Sequence, residues 1–203
     1  MELQRALAQI GDIRLQMERT RLFRGYTAPA TLTTAFIAIV AAISQSAYIG
    51  NSADSPFRFV QFWMGAAFLC IALCGIEVAR RFQRSDSSLQ RELTLSAIEQ
   101  LVPCLLVAAC LTAVLYFAAP TSLWLLLGLW QIFFGLGIAN SRKLLPQAVV
   151  FVGIFYLLCG FMNLAGGPSA TAFSAWRMGI PFAIGQAASA LLLRRQKEED
   201  HAA

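Results

Sequence analysis

Apolar positions fall into six runs, 29–49, 59–78, 101–119, 123–139, 148–164 and 178–193, separated by short polar connections. A helix needs about 17–25 residues to cross the hydrocarbon core of a bilayer, and the last three runs reach that length once their uncharged flanks are added. Ahead of the first run the pattern changes. Leu3, Ala6, Leu7, Ile10, Ile13 and Met17 recur at spacings of three and four, with charged residues between them. That spacing predicts an amphipathic helix able to lie along a membrane interface or to pair with another helix. Gly25 ends the pattern, and Pro29 stands at a helix-start position. The expected fold is an all-α membrane protein. It comprises an amphipathic cytoplasmic or interfacial helix over 1–25, a six-helix transmembrane domain over 26–195 and a charged tail over 196–203.

The prolines suggest how the six spans connect. Pro29, Pro103 and Pro146 stand near the starts of odd-numbered spans, while Pro56, Pro120 and Pro168 fall in the alternate connections. Three helical hairpins would produce that alternation. In the long connection after the second span, Ser87 and Gln90 fit a capping box, so a helix should begin there and run into the third span.

Composition and charge agree with this reading. The chain is 58% hydrophobic and 13% charged, against about a quarter charged in soluble domains. Fourteen of the sixteen Lys and Arg residues precede the first span, follow the last, or lie between spans two and three or four and five. Cytoplasmic loops retain Lys and Arg, so both termini should be cytoplasmic and the protein should sit in the cell inner (plasma) membrane. The net charge of +5 is thereby assigned to orientation and gives no reason to expect nucleic acid. A basic inner face also suits anionic lipid headgroups. Trp63, Trp124 and Trp176, with Tyr48, Tyr116 and Phe117, fall at one level near the opposite interface, as an aromatic belt would.

Two processing features change little. Ser44-Gln45-Ser46 has the small-residue character of a leader-cleavage site, but a polar leader of 28 residues and a long first run favour an uncleaved anchor. The five cysteines, Cys70, Cys74, Cys104, Cys110 and Cys159, all lie within spans, where free thiols packed among helices are expected.

Ionisable side chains inside spans are the first functional candidates in a membrane protein. Glu77 and Glu99 qualify, near the cytoplasmic ends of spans two and three. Glu77 precedes Arg81 by four residues, the favourable order for a helical ion pair; alternatively the two carboxylates line a proton or cation path. Arg58 and Arg177 are the basic residues outside the charge pattern. Each either snorkels to the interface or faces an anion. Among amides, Gln131 shares a face with Gly128 and Gly135 in span four, and Gln186 shares one with Gly179, Phe182 and Ser189 in span six. Small residues let helices approach and a glutamine can bond across the contact, so packing is the first expectation and a solute cavity the second. Pro181, deep in the last span, should kink it.

Enzyme chemistry finds little to use. The single histidine, His201, lies in the charged tail, and the spans hold no aspartate. The usual zinc, haem and Ser-His-Asp ligands or bases are therefore missing, and no HExxH, GxGxxG or GxxxxGK[ST] pattern occurs. A non-enzymatic protein without metal or cofactor is expected.

Phe23-Arg24-Gly25-Tyr26, Ile98-Glu99-Gln100-Leu101-Val102-Pro103 and Gly128-Leu129-Trp130-Gln131-Ile132 stand out as short motifs, together with Met178-Gly179-Ile180-Pro181-Phe182-Ala183-Ile184-Gly185-Gln186. Through them the chain resembles a group of uncharacterised small bacterial six-span integral membrane proteins. That resemblance implies a bacterial inner membrane and carries no activity, cofactor or catalytic residue. The first functional expectation is an interaction, scaffold or sensor-type component of the bilayer that meets a cytoplasmic protein partner through its N-terminal helix. The alternative is a small-solute or ion permease working as a homo-oligomer and built on Glu77, Glu99, Gln131, Gln186 and Pro181.

Overall fold

The computed structural model describes residues 27–48, 56–84, 88–141, 148–169 and 171–202. Six helices carry them: α1 Ala28–Tyr48, α2 Pro56–Arg84, α3 Ser88–Ala118, α4 Leu125–Asn140, α5 Val149–Ala165 and α6 Ala175–Ala202, with a 3-10 turn Pro120–Ser122 ahead of α4. Each helix coincides with one of the six apolar runs to within a few residues, except that α2, α3 and α6 extend into polar sequence. By length and composition α1, α2 and the 99–118 part of α3 can cross a membrane, while α4 and α5 are shorter apolar helices. The expected amphipathic helix over 1–25 and the Ser87 cap lie outside the described residues, although α3 does begin at Ser88.

Small residues line the inward seams of α1, α4 and α5, while Phe59, Trp63, Leu123, Leu126 and Leu127 form a bulkier core cluster at the Pro56 and Pro120 end. Along α1 the buried residues are Thr31, Ala35, Ala38, Ala42 and Gln45, with Ala41 beside them. The first five are spaced four, three, four and three apart, the seam of a left-handed helix pair. On α4 the same seam runs Gly128, Gln131, Gly135 and Ile138, and on α5 it runs Val149, Gly153, Tyr156 and Gly160. Other bulky apolar side chains point outward: Phe36, Phe68 and Phe151 are 69%, 74% and 73% exposed. Such a surface suits hydrocarbon, where burying Phe against another helix gains little over burying it in lipid.

Two helix pairs are packed most closely. In the first, α4 and α5 run antiparallel with Gly128 opposite Gly160 and Gly135 opposite Gly153. A Cβ on Gly128 would stand 2.7 Å from the Gly160 carbonyl oxygen, and one on Gly135 2.8 Å from that of Gly153. In the second pair, Gly179 of α6 lies against Ala42 and the Ala38 carbonyl of α1. The closest packing thus runs between α4 and α5 and between α1 and α6, while the neighbours expected to form hairpins, α1 with α2, α3 with α4 and α5 with α6, also touch. The reason is the placement of small residues: α2 has glycines at Gly65 and Gly75, but a Cβ on either would meet nothing within 4 Å.

Proline and aromatic residues gather at one end of the bundle. Pro56, Pro120 and Pro168 line a single open cavity of about 310 Å³ together with Thr121, Trp124, Ser169, Ala172 and Phe173. The start of α2, the turn before α4 and the connection from α5 to α6 therefore meet at this proline end.

Candidate functional site

Below the cavity, two glutamines each join three elements. Gln45, near the end of α1, accepts from Trp63 Nε1 of α2 at 2.6 Å and donates through Nε2 to the Phe173 carbonyl at 3.0 Å. Gln131 of α4 accepts from Asn163 Nδ2 of α5 at 2.9 Å and donates through Nε2 to the Arg177 carbonyl of α6, also at 2.9 Å. Both glutamines are fully buried. Their amide orientations follow from chemistry, because a backbone carbonyl can only accept and an indole N–H can only donate. The Arg177 carbonyl turns Gln131 Nε2 toward itself. Gln131 Oε1 is then left to receive the Asn163 amide. Both the oxygen and the nitrogen of each side-chain amide have a partner, which is what burial in a low dielectric demands.

The Arg177 carbonyl is available for a particular reason. In an α-helix it would accept from the N–H four residues on, but that residue is Pro181, inside α6, which has no N–H. Gln131 supplies the missing donor. Immediately beyond the proline, Tyr156 Oη of α5 donates to the Phe182 carbonyl at 3.3 Å. The Tyr156 ring sits 5.0 Å from Phe134 and 5.1 Å from Phe182, centroid to centroid, filling the space that Gly185 leaves.

Polar contacts elsewhere at the proline end are of the same kind. Trp130 Nε1 donates to Thr112 Oγ1 at 2.8 Å, joining α4 to α3, and Gln61 Nε2 donates to Tyr116 Oη at 2.8 Å, joining α2 to α3. At the far end, Asn140 Nδ2 of α4 donates to the Gln100 carbonyl of α3 at 3.2 Å.

The six residues singled out in the sequence are dispersed. Gln131 lies in the three-helix tie. Gln186 is buried on α6 nine residues past Arg177, about 13 Å further along the helix axis. Glu77 is half-buried on α2 and Glu99 is exposed on α3. Arg58 is exposed in the first turn of α2, whereas Arg177 is half-buried with its guanidinium against Gly166 at the C-terminal cap of α5. A cation there meets the negative end of the α5 dipole. None of the six lines the cavity. The Arg81 side chain, expected to pair with Glu77, is outside the described residues.

Three contributors were missed or misplaced by sequence reasoning. Gln45 was weighed only as part of a cleavage site, and Asn163 was not weighed at all. Trp63 was assigned to an aromatic belt but is 4% exposed and tied to Gln45, so it is a core residue. Trp176 and Phe117 do lie on the surface. A search for amides within three-four stripes of small residues would have found Gln45 after Ala38 and Ala42, and Asn163 after Gly160. The five cysteines are free thiols on helices; Cys70, Cys74, Cys104 and Cys159 are half-buried, and Cys110 is exposed rather than packed among helices. Against protein-family models, curated proteins and solved structures, the chain has no match.

Proposed function

We propose that the protein is a non-enzymatic, multi-pass component of a bacterial inner membrane, a scaffold or sensor element. Its six helices cross the bilayer with the arginine-rich end in the cytoplasm and the proline end outside. One observation carries the functional part: Gln131, the amide best placed to line a solute path, has both its donor and its acceptor committed to neighbouring helices. Side chains engaged in this way hold helices in register, and a passing solute would have to compete with those bonds. Convergence of Pro56, Pro120 and Pro168 at one end supports the alternating topology, because all three connections belong to the same expected side. The helices α4 and α5, with 16 and 17 residues, span only about 24–26 Å. Flanking residues and a locally thinner bilayer make up the difference from a core about 30 Å thick. The working surface is then cytoplasmic: the basic connections and the amphipathic sequence over 1–25, which recruits a protein partner.

The test pairs two measurements on the full-length chain. In reconstituted vesicles the protein should give no uptake above empty vesicles across a panel of ions and small solutes, while deletion of residues 2–22 should remove specific co-purifying proteins. Uptake that disappears on Glu77→Gln or Gln131→Met would establish the permease reading instead. Topology is checked separately, by labelling cysteines placed at Ser169 and Ser85 in a cysteine-free background. An impermeant thiol reagent should reach the first from outside and the second only after the membrane is opened.

A further inference from the structure

A proline inside an apolar helix leaves a carbonyl without its donor, and burial makes that vacancy costly unless a neighbour fills it. In α6 the vacancy belongs to Arg177, and the neighbour is a side chain from another helix, Gln131. A backbone N–H is fixed to its own chain and always present. A side-chain amide can leave.

We propose that Pro181 is a hinge in α6 and that Gln131 is its latch, with Asn163 as the residue that sets the latch. Three features make the arrangement directional. Gly179, on the N-terminal side of the hinge, rests against Ala42 and the Ala38 carbonyl of α1. On the C-terminal side, Phe182 and Gly185 rest on Tyr156 of α5. Gln131 reaches across from α4, which is locked to α5 by the Gly128–Gly160 and Gly135–Gly153 contacts. Shut, the latch fastens the first turns of α6 to the rigid α4–α5 pair. Released, it leaves the Arg177 carbonyl without that donor, and the segment of α6 before Pro181 is uncoupled from α4 and can tilt with α1, against which Gly179 stays packed.

That segment carries something to move. The connection leading into it supplies Ala172 and Phe173 to the cavity, and the Phe173 carbonyl is held by Gln45, itself bonded to Trp63. Tilting the first turns of α6 shifts one wall of the cavity and strains the α1–α2 tie together. The latch therefore couples the buried centre of the bundle to its proline end. A weaker form of the device occurs at Pro103 of α3, where Asn140 bonds the carbonyl of Gln100, one residue over from the carbonyl that proline frees. The inference is independent of whether the protein is a scaffold or a permease, since it concerns only how α6 is held.

A latch of this kind makes a prediction that ordinary packing does not: Gln131 matters only while residue 181 lacks an N–H. The experiment compares wild type, Gln131→Met, Pro181→Ala and the double variant as full-length protein in lipid nanodiscs, following amide hydrogen exchange over residues 175–183. Methionine preserves the length of Gln131 and removes its donor. Q131M should speed exchange of this segment about tenfold in the proline background, because one buried bond that holds it is gone. In the alanine background the residue-181 N–H bonds the Arg177 carbonyl, and Q131M should change exchange less than about twofold. Equal acceleration in both backgrounds, or none in either, overturns the proposal. If Q131M does not accumulate in membranes, recovery decides: the latch requires P181A to restore accumulation of the Q131M chain, and equal loss with or without P181A overturns it.

Discussion

Gly160→Ala should destabilise the bundle, whereas Gly65→Ala, an identical change in another apolar helix, should not. At Gly160 the added Cβ would lie 2.6 Å from Ile132 Cγ1, 2.7 Å from the Gly128 carbonyl oxygen and 3.1 Å from the Ile132 nitrogen. Two of those three atoms are backbone, so no rotamer change clears them. Moving from 2.7 Å to the 3.4 Å of ordinary contact separates α4 from α5 by about 0.7 Å. A gap of 0.5–1 Å already forfeits about a quarter to a half of each dispersion well along the crossing. Overpacking of this kind costs about 1–3 kcal/mol, and alanine's better helix propensity returns at most about 1 kcal/mol. The net loss is about 1–2 kcal/mol. At Gly65 the same Cβ meets nothing within 4 Å, so only the propensity gain of up to about 1 kcal/mol remains. Thermal or denaturant unfolding in one detergent, followed by circular dichroism, should separate the two variants by about 2 kcal/mol. Equal midpoints would refute the argument, because they would mean the α4–α5 glycines are not what brings those helices together. Adding Gly128→Ala to Gly160→Ala should cost less than the sum of the two, since the first substitution has already moved the helices apart.

Further substitutions test neighbouring contacts by the same unfolding measurement. Trp63→Phe leaves Gln45 Oε1 buried without its donor and should cost about 1–2 kcal/mol; combined with Gln45→Leu it should cost markedly less than the two singles added, and strict additivity would count against the tie. Gly185→Ala places a Cβ on the Tyr156 ring and hydroxyl and should cost about 1–3 kcal/mol, with Tyr156→Phe restoring part of it. Gly137→Ala should cost less than about 1 kcal/mol, because the nearest atom, Leu101 Cδ1 at 2.9 Å, is the far end of a flexible side chain; a loss as large as that of Gly160→Ala would show that α3 cannot give way there.

What could be read from the chain divides along the two questions a bilayer poses. Which segments form long apolar helices is a matter of mean hydropathy, and the apolar runs located the six helices of the described residues. Which face of each helix turns inward is a different matter, and hydropathy is nearly blind to it. Phe36 and Ala38 are both apolar, yet the phenylalanine lies on the surface and the alanine in the seam. The stripe Gly128, Gln131, Gly135 was legible because its glycines mark close approach whatever the solvent. The α1 stripe went unread, being made of alanines that look like any other apolar residue. The closest pairings were hidden for the same reason: connections suggest which helices are neighbours, whereas small residues decide which neighbours pack most closely.

The amides extend this argument to the site. A sequence search weighted toward ionisable groups found Glu77, Glu99, Arg58 and Arg177, and the two carboxylates it proposed as a pair lie one half-buried on α2 and one exposed on α3. Neutral amides do the joining. In hydrocarbon a charge costs several kcal/mol unless paired or able to snorkel, while a neutral amide carries no charge to desolvate and can both donate and accept. A bundle can therefore hold three helices together with Gln131, or two helices and a connection with Gln45, where it could not use a glutamate. Arg177 shows both sides of the rule at a single residue: its guanidinium rests at the α5 cap, and its carbonyl, released by Pro181, is what the buried amide of Gln131 binds. The residue chosen for its charge belongs to the site through its backbone, and a proline four positions away is the only trace of that in the sequence.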